Sequence, residues 1–146
     1  AQKAAGLVIY RRISDRIEYL LLQASYGMFH WSPPKGHVDP GEDDFITALR
    51  ETKEESSFDQ CDLKIFKDKS KTLEYKVKGH DKIVIYWLAE LIDPNKEPKL
   101  SDEHQDFKWL DKQASIDLAG YKDFGEMLNY FENEIIQSKK SVSFIT

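Results

Sequence analysis

Three glutamates, Glu51, Glu54 and Glu55, fall within "RETKEESS" at positions 50 to 57, directly behind the loop "PPKGHVDPGED" at 33 to 43. On a helix advancing about 100° per residue they share one side within an arc of roughly 100°. Like charges at this spacing mildly destabilise a helix, and near its C-terminal end the macrodipole disfavours them further. Such a cluster calls for a positive partner. A hard divalent cation qualifies, because Mg²⁺ prefers carboxylate oxygens and keeps waters that phosphate oxygens can replace. A solvated face partnered by Arg50 and Lys53 is the alternative, and the better one for an arbitrary acidic helix. The preceding loop favours the ion. Pro33 and Pro34 stiffen the approach, Gly36 and Gly41 permit close backbone contacts, and Lys35 stands where it can reach a phosphate.

The elements that must hold this cluster are legible in the residue pattern. "AGLVIYR" (5 to 11) and "IEYLLLQAS" (17 to 25) read as paired strands across the polar break "RISDR". From Glu42, the residues Phe45, Ala48, Leu49 and Thr52 recur at helical spacing, which predicts a helix ending near Ser56 or Ser57. "TLEYKV" (72 to 77) and "KIVIYWLAEL" (82 to 91) predict a hairpin around the four-residue loop "KGHD". A short strand is expected at "FKWL" (107 to 110). A final helix is expected through Phe124, Met127, Leu128, Phe131 and Ile135, with a fraying tail over 138–146. No repeat or linker divides the chain, so one domain is expected over its 146 residues.

Composition narrows the partners. A formal net charge of -5 gives no bulk attraction for nucleic acid, so any phosphate chemistry must be local. The single cysteine, Cys61, allows no intrachain disulfide and no thiolate zinc cage, which fits a reducing, cytoplasmic setting. The apolar run Ile83 to Ala89 is far below the roughly 20 residues that span a bilayer. No membrane association is expected, and a monomer is.

From Gly36 to Phe58, "GHVDPGEDDFITALRETKEESSF" resembles the Nudix signature. Gly36, Glu42, Arg50, Glu51, Glu54, Glu55 and Phe58 match it at the required spacing. Thr52 stands where the family has an aliphatic residue and Ser57 where it has glycine, the second a change that touches how the helix ends. Beyond the signature, "AGLVIYRR", "EYLLLQAS", "HWSPPKGHVDPGED", "VIYWLAEL" and "SDEHQDFKWL" resemble the asymmetrically cleaving diadenosine tetraphosphate hydrolases of this family. The resemblance spans about Ala4 to Phe131.

The resemblance implies a Mg²⁺-dependent hydrolase, with Mn²⁺ a possible substitute, that splits diadenosine tetraphosphate into ATP and AMP. It implies Glu51 and Glu55 as the main metal ligands, Glu54 and the Gly36 carbonyl as further ones, and Arg50 as the group orienting Glu51. Glu103 matches the family's catalytic glutamate loop and would be another ligand or the general base; the choice of base between Glu51 and Glu103 stays open. Lys35 and Lys82 by charge, and His37, Tyr86 and the weaker candidate His30 by hydrogen bonding, are the phosphate-binding set. Tyr75 and Tyr121 match the positions that clamp adenine, where stacking is worth about 1–3 kcal/mol per base. His80 and His104 rank lower as site residues, and Trp31, Trp87 and Trp109 read as structural.

Other activities stay in view. The metal site reads only the phosphoanhydride, so another nucleoside-polyphosphate or a capped-RNA pyrophosphohydrolase is an alternative, as is a noncatalytic nucleotide-binding module. The residue pattern alone gives "α plus β". The Nudix resemblance sharpens this to an α/β class, a mixed β-sheet sandwiched between α-helices as α/β/α.

Overall fold

A computed structural model describes residues 2–145, with side chains described except at 77 and 139–145. The chain runs β1 (Gln2–Ile13), β2 (Arg16–Ala24), β3 (Trp31–Ser32), β4 (Lys35–His37) and α1 (Asp44–Ser56). A 3-10 turn at Gln60–Asp62 leads to β5 (Leu63–Val77), β6 (His80–Leu91) and β7 (His104–Leu110), then α2 (Lys112–Ala119) and α3 (Lys122–Ile145).

One seven-stranded mixed sheet forms the middle layer, in the order β3-β2-β1-β6-β5, with β4 added to β1 and β7 to β2. Its centre is the parallel pair β1 and β6, in register from Gln2 opposite Lys82 to Tyr10 opposite Glu90. Alternation sorts the side chains of these strands into two cores. Ala5, Leu7 and Ile9 of β1 join Trp87, Ala89 and Leu91 of β6 beneath Ala48 of α1. Val8 and Tyr10 join Val84, Tyr86 and Leu88 beneath Phe124, Met127, Leu128 and Phe131 of α3. Helices therefore cover both faces, the expected α/β/α layering.

One edge of β1 is divided, and this division builds the site. Tyr10–Ile13 pair with β2, whereas Ala4–Gly6 pair antiparallel with β4, opposite His37, Gly36 and Lys35. The Leu7 N–H donates to the Pro34 carbonyl at 3.2 Å and stitches the junction. The loop that carries Lys35 and Gly36 is thus fixed as a short strand alongside α1.

Several expectations change. The strand expected at 72–77 begins at Leu63, its pairing with β6 broken by an irregularity between Phe66 and Ser70 where the bulge hides the alternation. The hairpin turn is only Lys78-Gly79, at φ 52° and 80°, while His80 and Asp81 already belong to the strands' ladder. β3 and β4 are too short to show a period, and α2 is a brief amphipathic turn of the chain without a distinct apolar repeat. The strand expected at 107–110 starts at His104. The tail expectation for 138–146 falls mainly on residues whose side chains lie outside those described; α3 is assigned through Ile145.

Candidate active site

Helix α1 presents the motif acids. Thr47, Ala48 and Thr52 are buried against the sheet, which turns Glu51, Glu54 and Glu55 toward β4 and the rim. Gly36 allows this approach: a Cβ at that position would overlap the Glu51 carboxylate and displace it from where it stands. Glu55 is 5% exposed and accepts the Lys35 backbone N–H at 3.1 Å. Burial pushes its carboxyl up to about 8; the Lys35 N–H opposes this, and Glu51 adds to it. Glu51 is also raised, first by burial and then by Glu54, with Arg50 pulling the other way.

Arg50 organises the rest. Its Nε and Nη2 donate to the two carboxylate oxygens of Glu42 at 2.9 Å each, a bidentate pair. Its Nη1 donates to Glu51 at 2.9 Å and to Glu54 at 3.2 Å, and its Nη2 also reaches the His37 carbonyl at 3.2 Å. Glu42 in turn accepts from the Thr47 hydroxyl at 2.6 Å, and these bonds, Arg50 first, hold its carboxyl down at about 2. One guanidinium thereby ties the loop, the helix start and two of the three clustered acids together.

Cationic and aromatic groups border the carboxylates. Burial first and the neighbouring ammonium of Lys82 second lower Lys35 to about 8, while Glu55 and Glu51 work against both. Lys82 lies 5.9 Å from the centre of the Tyr75 ring, and Tyr75 faces Tyr121 with ring centres 6.0 Å apart at 19°. The Tyr121 hydroxyl donates to the Trp31 carbonyl at 3.2 Å. Tyr86 is 1% exposed; burial raises its phenol well above the ordinary value, as do Tyr121, Tyr75 and Glu55, so it floors the space between the rings and the acids.

Not every expected residue is gathered in. His30 and His37 are exposed, and the contact His37 makes toward the site is through its carbonyl. Glu54 is 55% exposed on Arg50. Glu103 is exposed, although its backbone carbonyl is held by the Ser25 N–H at 2.9 Å and its charge is felt by Tyr26 together with those of Glu55 and Glu51. Among the described residues no three His, Cys, Asp or Glu side chains form a ready-made metal cage. Trp87 is core, and Trp31 and Trp109 pack on the two cores, as read from the sequence.

One residue ranked low belongs here. His104 is 8% exposed, its Nε2 is 3.8 Å from Glu55 Oε1, and its Nδ1 has no hydrogen-bond partner. Burial first, and then the charge of Lys35, lower its pKa, while Glu103 opposes them. A lone histidine in a polar loop gives no periodic signal; only its adjacency to Glu103 hinted at a place in the site.

The donor chemistry suits a hard cation. Burial raises both Glu51 and Glu55, and the charge of Glu51 adds to the rise at Glu55, so the paired carboxylates lack enough positive charge to offset them. An ion bound to their oxygens would supply that charge, and Glu54 and Glu103 stand on the rim as oxygen donors of the same kind.

This layered fold, with its glycine-loop-helix acid cluster, defines a hydrolase class, and the chain belongs to the Nudix family: the NUDIX domain model matches residues 1–129. Among its relatives, the protein named "Bis(5'-nucleosyl)-tetraphosphatase [asymmetrical]" from Caenorhabditis elegans is 52% identical, covering 88% of this chain and 93% of that protein. The equally named protein of Mus musculus is 48% identical over 84% of this chain and 88% of its own length. The crystal structure of a C. elegans Ap4A hydrolase binary complex superimposes with a TM-score of 0.90 at 49% identity, covering 94% of this chain and 99% of that one. The Nudix hydrolase RenU of M. smegmatis, at 17% identity and a TM-score of 0.73, shares the fold.

Proposed function

We propose that this chain hydrolyses diadenosine tetraphosphate to ATP and AMP with Mg²⁺ as its ion and Mn²⁺ as a substitute. The observation that carries the reading is the pair of carboxylates, buried Glu55 and half-buried Glu51, set under Gly36 beside Lys35 and Lys82. Its support is the 52% identity to a relative named for cleavage of such tetraphosphates. When bound, the ion neutralises phosphate charge and lowers the pKa of water. Glu51 and Glu55 are its principal holders, with Glu54, Glu103 and the Gly36 carbonyl as further oxygens.

The chain's own groups supply the rest. Arg50 fixes the Glu51 carboxylate, and Lys35 and Lys82 bind phosphate oxygens, which relieves the repulsion between their paired charges. Tyr86, at the floor of this space, supplies a hydrogen bond to the polyphosphate. Tyr75 and Tyr121 take an adenine between nearly parallel faces. Either Glu51 or Glu103 accepts the proton of the attacking water.

Hydrolysis in oxygen-18 water tests this directly. ATP and AMP in equal amounts, with label in only one of them, are expected and name the phosphorus attacked. Faster release of 5' ends from capped RNA than of AMP from the dinucleotide would overturn the substrate assignment. The Glu55→Gln variant is expected to lower kcat by orders of magnitude with KM and melting temperature little changed, and undiminished turnover would refute the role of Glu55.

A further inference from the structure

The departure of this chain from the family signature at Ser57 has a structural counterpart. Ser57 ends α1 in the left-handed region, at φ 67° and ψ 7°, its N–H donating to the Lys53 carbonyl at 2.9 Å. Glycine adopts this backbone freely, whereas a side chain there adds strain. The hydroxyl supplies what glycine lacks: Ser57 Oγ donates to the Lys99 carbonyl at 2.8 Å. The Lys99 N–H donates in return to the Ser56 carbonyl at 2.9 Å, so both backbone groups of Lys99 are fastened to the end of the acidic helix.

Lys99 begins the segment that carries Glu103. Leu100 packs against the α1-side core. The far end is anchored at β2, where the Ser25 hydroxyl donates to the Asp102 carbonyl at 2.7 Å and the Ser25 N–H to the Glu103 carbonyl at 2.9 Å. The segment from Lys99 to Glu103 is therefore fastened at both ends, at Lys99 to the helix bearing Glu51 and Glu55 and at Asp102 and Glu103 to a strand.

We infer that Ser57 is a positioning residue whose hydroxyl fixes the Lys99 end of this segment and thereby sets where Glu103 stands relative to the Glu51–Glu55 pair. The inference rests on Glu103 belonging to the reacting centre. A glycine at 57 would complete the helix turn with less strain but leave the Lys99 carbonyl without the hydroxyl donor. Asparagine tolerates the left-handed backbone and offers an N–H in its place.

Four variants, Ser57→Gly, Ser57→Asn, Glu103→Gln and the double variant Ser57→Gly with Glu103→Gln, separate the possibilities. Amide exchange at Lys99 and His104 is expected to quicken about tenfold in Ser57→Gly, with the α1 amides unchanged. Its kcat is expected to fall several-fold at constant KM, to return within about twofold of the wild type in Ser57→Asn, and to add nothing to the loss in Glu103→Gln. Unchanged exchange at those amides, or equal multiplicative losses in the two backgrounds, would overturn the inference. If Glu103→Gln turns over like the wild type, the reading of Glu103 fails, and amide exchange alone then decides whether Ser57 fixes the segment.

Discussion

Arg50 and Glu42 form a bidentate pair that ties the loop before α1 to the acids on that helix. The Glu42 carboxyl is held at about 2, with Arg50 the leading cause and Thr47 the next. Because the folded value lies below the ordinary one of 4.5, the pair's contribution to stability is full above about pH 4.5 and disappears as pH falls through about 2. Urea unfolding of the wild type and of Glu42→Gln should thus differ by a constant amount above pH 5 and converge toward pH 2. A difference that persists undiminished into acid would show that the carboxylate charge is not the source.

At the scale of elements, the decisive contact is strand β4 lying against helix α1. Gly36 faces the Glu51 carboxylate so closely that a methyl group cannot be inserted without moving one of them. Gly36→Ala is expected to lower kcat at least a hundredfold while costing about 1–3 kcal/mol of stability, the usual range for overpacking. Kinetics beside thermal melts would separate the two effects. Helix α2 positions an aromatic ring instead. Asp111 caps it by accepting the Ala114 N–H at 2.8 Å, and Gly120 at φ 79° turns the chain so that Tyr121 meets Tyr75. Removing the cap with Asp111→Ala should cost about 1 kcal/mol. It should also raise KM for an adenine nucleotide more than it lowers kcat.

For the whole molecule, the core under α3 and the acids of α1 lie on opposite faces of the sheet, though Tyr86 of that core floors the site. Phe131 is 0% exposed in the core under α3, on the face of the sheet away from α1. Phe131→Ala is expected to cost about 3–5 kcal/mol by transfer and cavity terms, yet to leave kcat near the wild-type value in protein that remains folded. Chelation should do the reverse, abolishing turnover while secondary structure persists, because two buried hydrophobic cores join the layers. Adding Mg²⁺ to chelated protein should raise its melting temperature in proportion to the logarithm of concentration beyond Kd. No helix among the described residues is long and apolar enough to cross a membrane.

Residue order was enough for the long β1, β2 and β6 strands, helices α1 and α3, and the carboxylate-bearing stretch of α1. Each is a local periodic signal or a fixed spacing of charged residues, which the chain carries whether folded or not. It could not show β3, β4, α2 or the first half of β5, whose lengths or bulges fall below any readable period. Tertiary structure alone decided that Glu55 is buried, that Lys35 and Lys82 stand together, that His104 reaches Glu55, and that Ser57 fastens the segment leading to Glu103. Those facts arise between residues far apart in the chain, where desolvation and hydrogen bonding depend on how layers meet and not on what lies nearby in sequence.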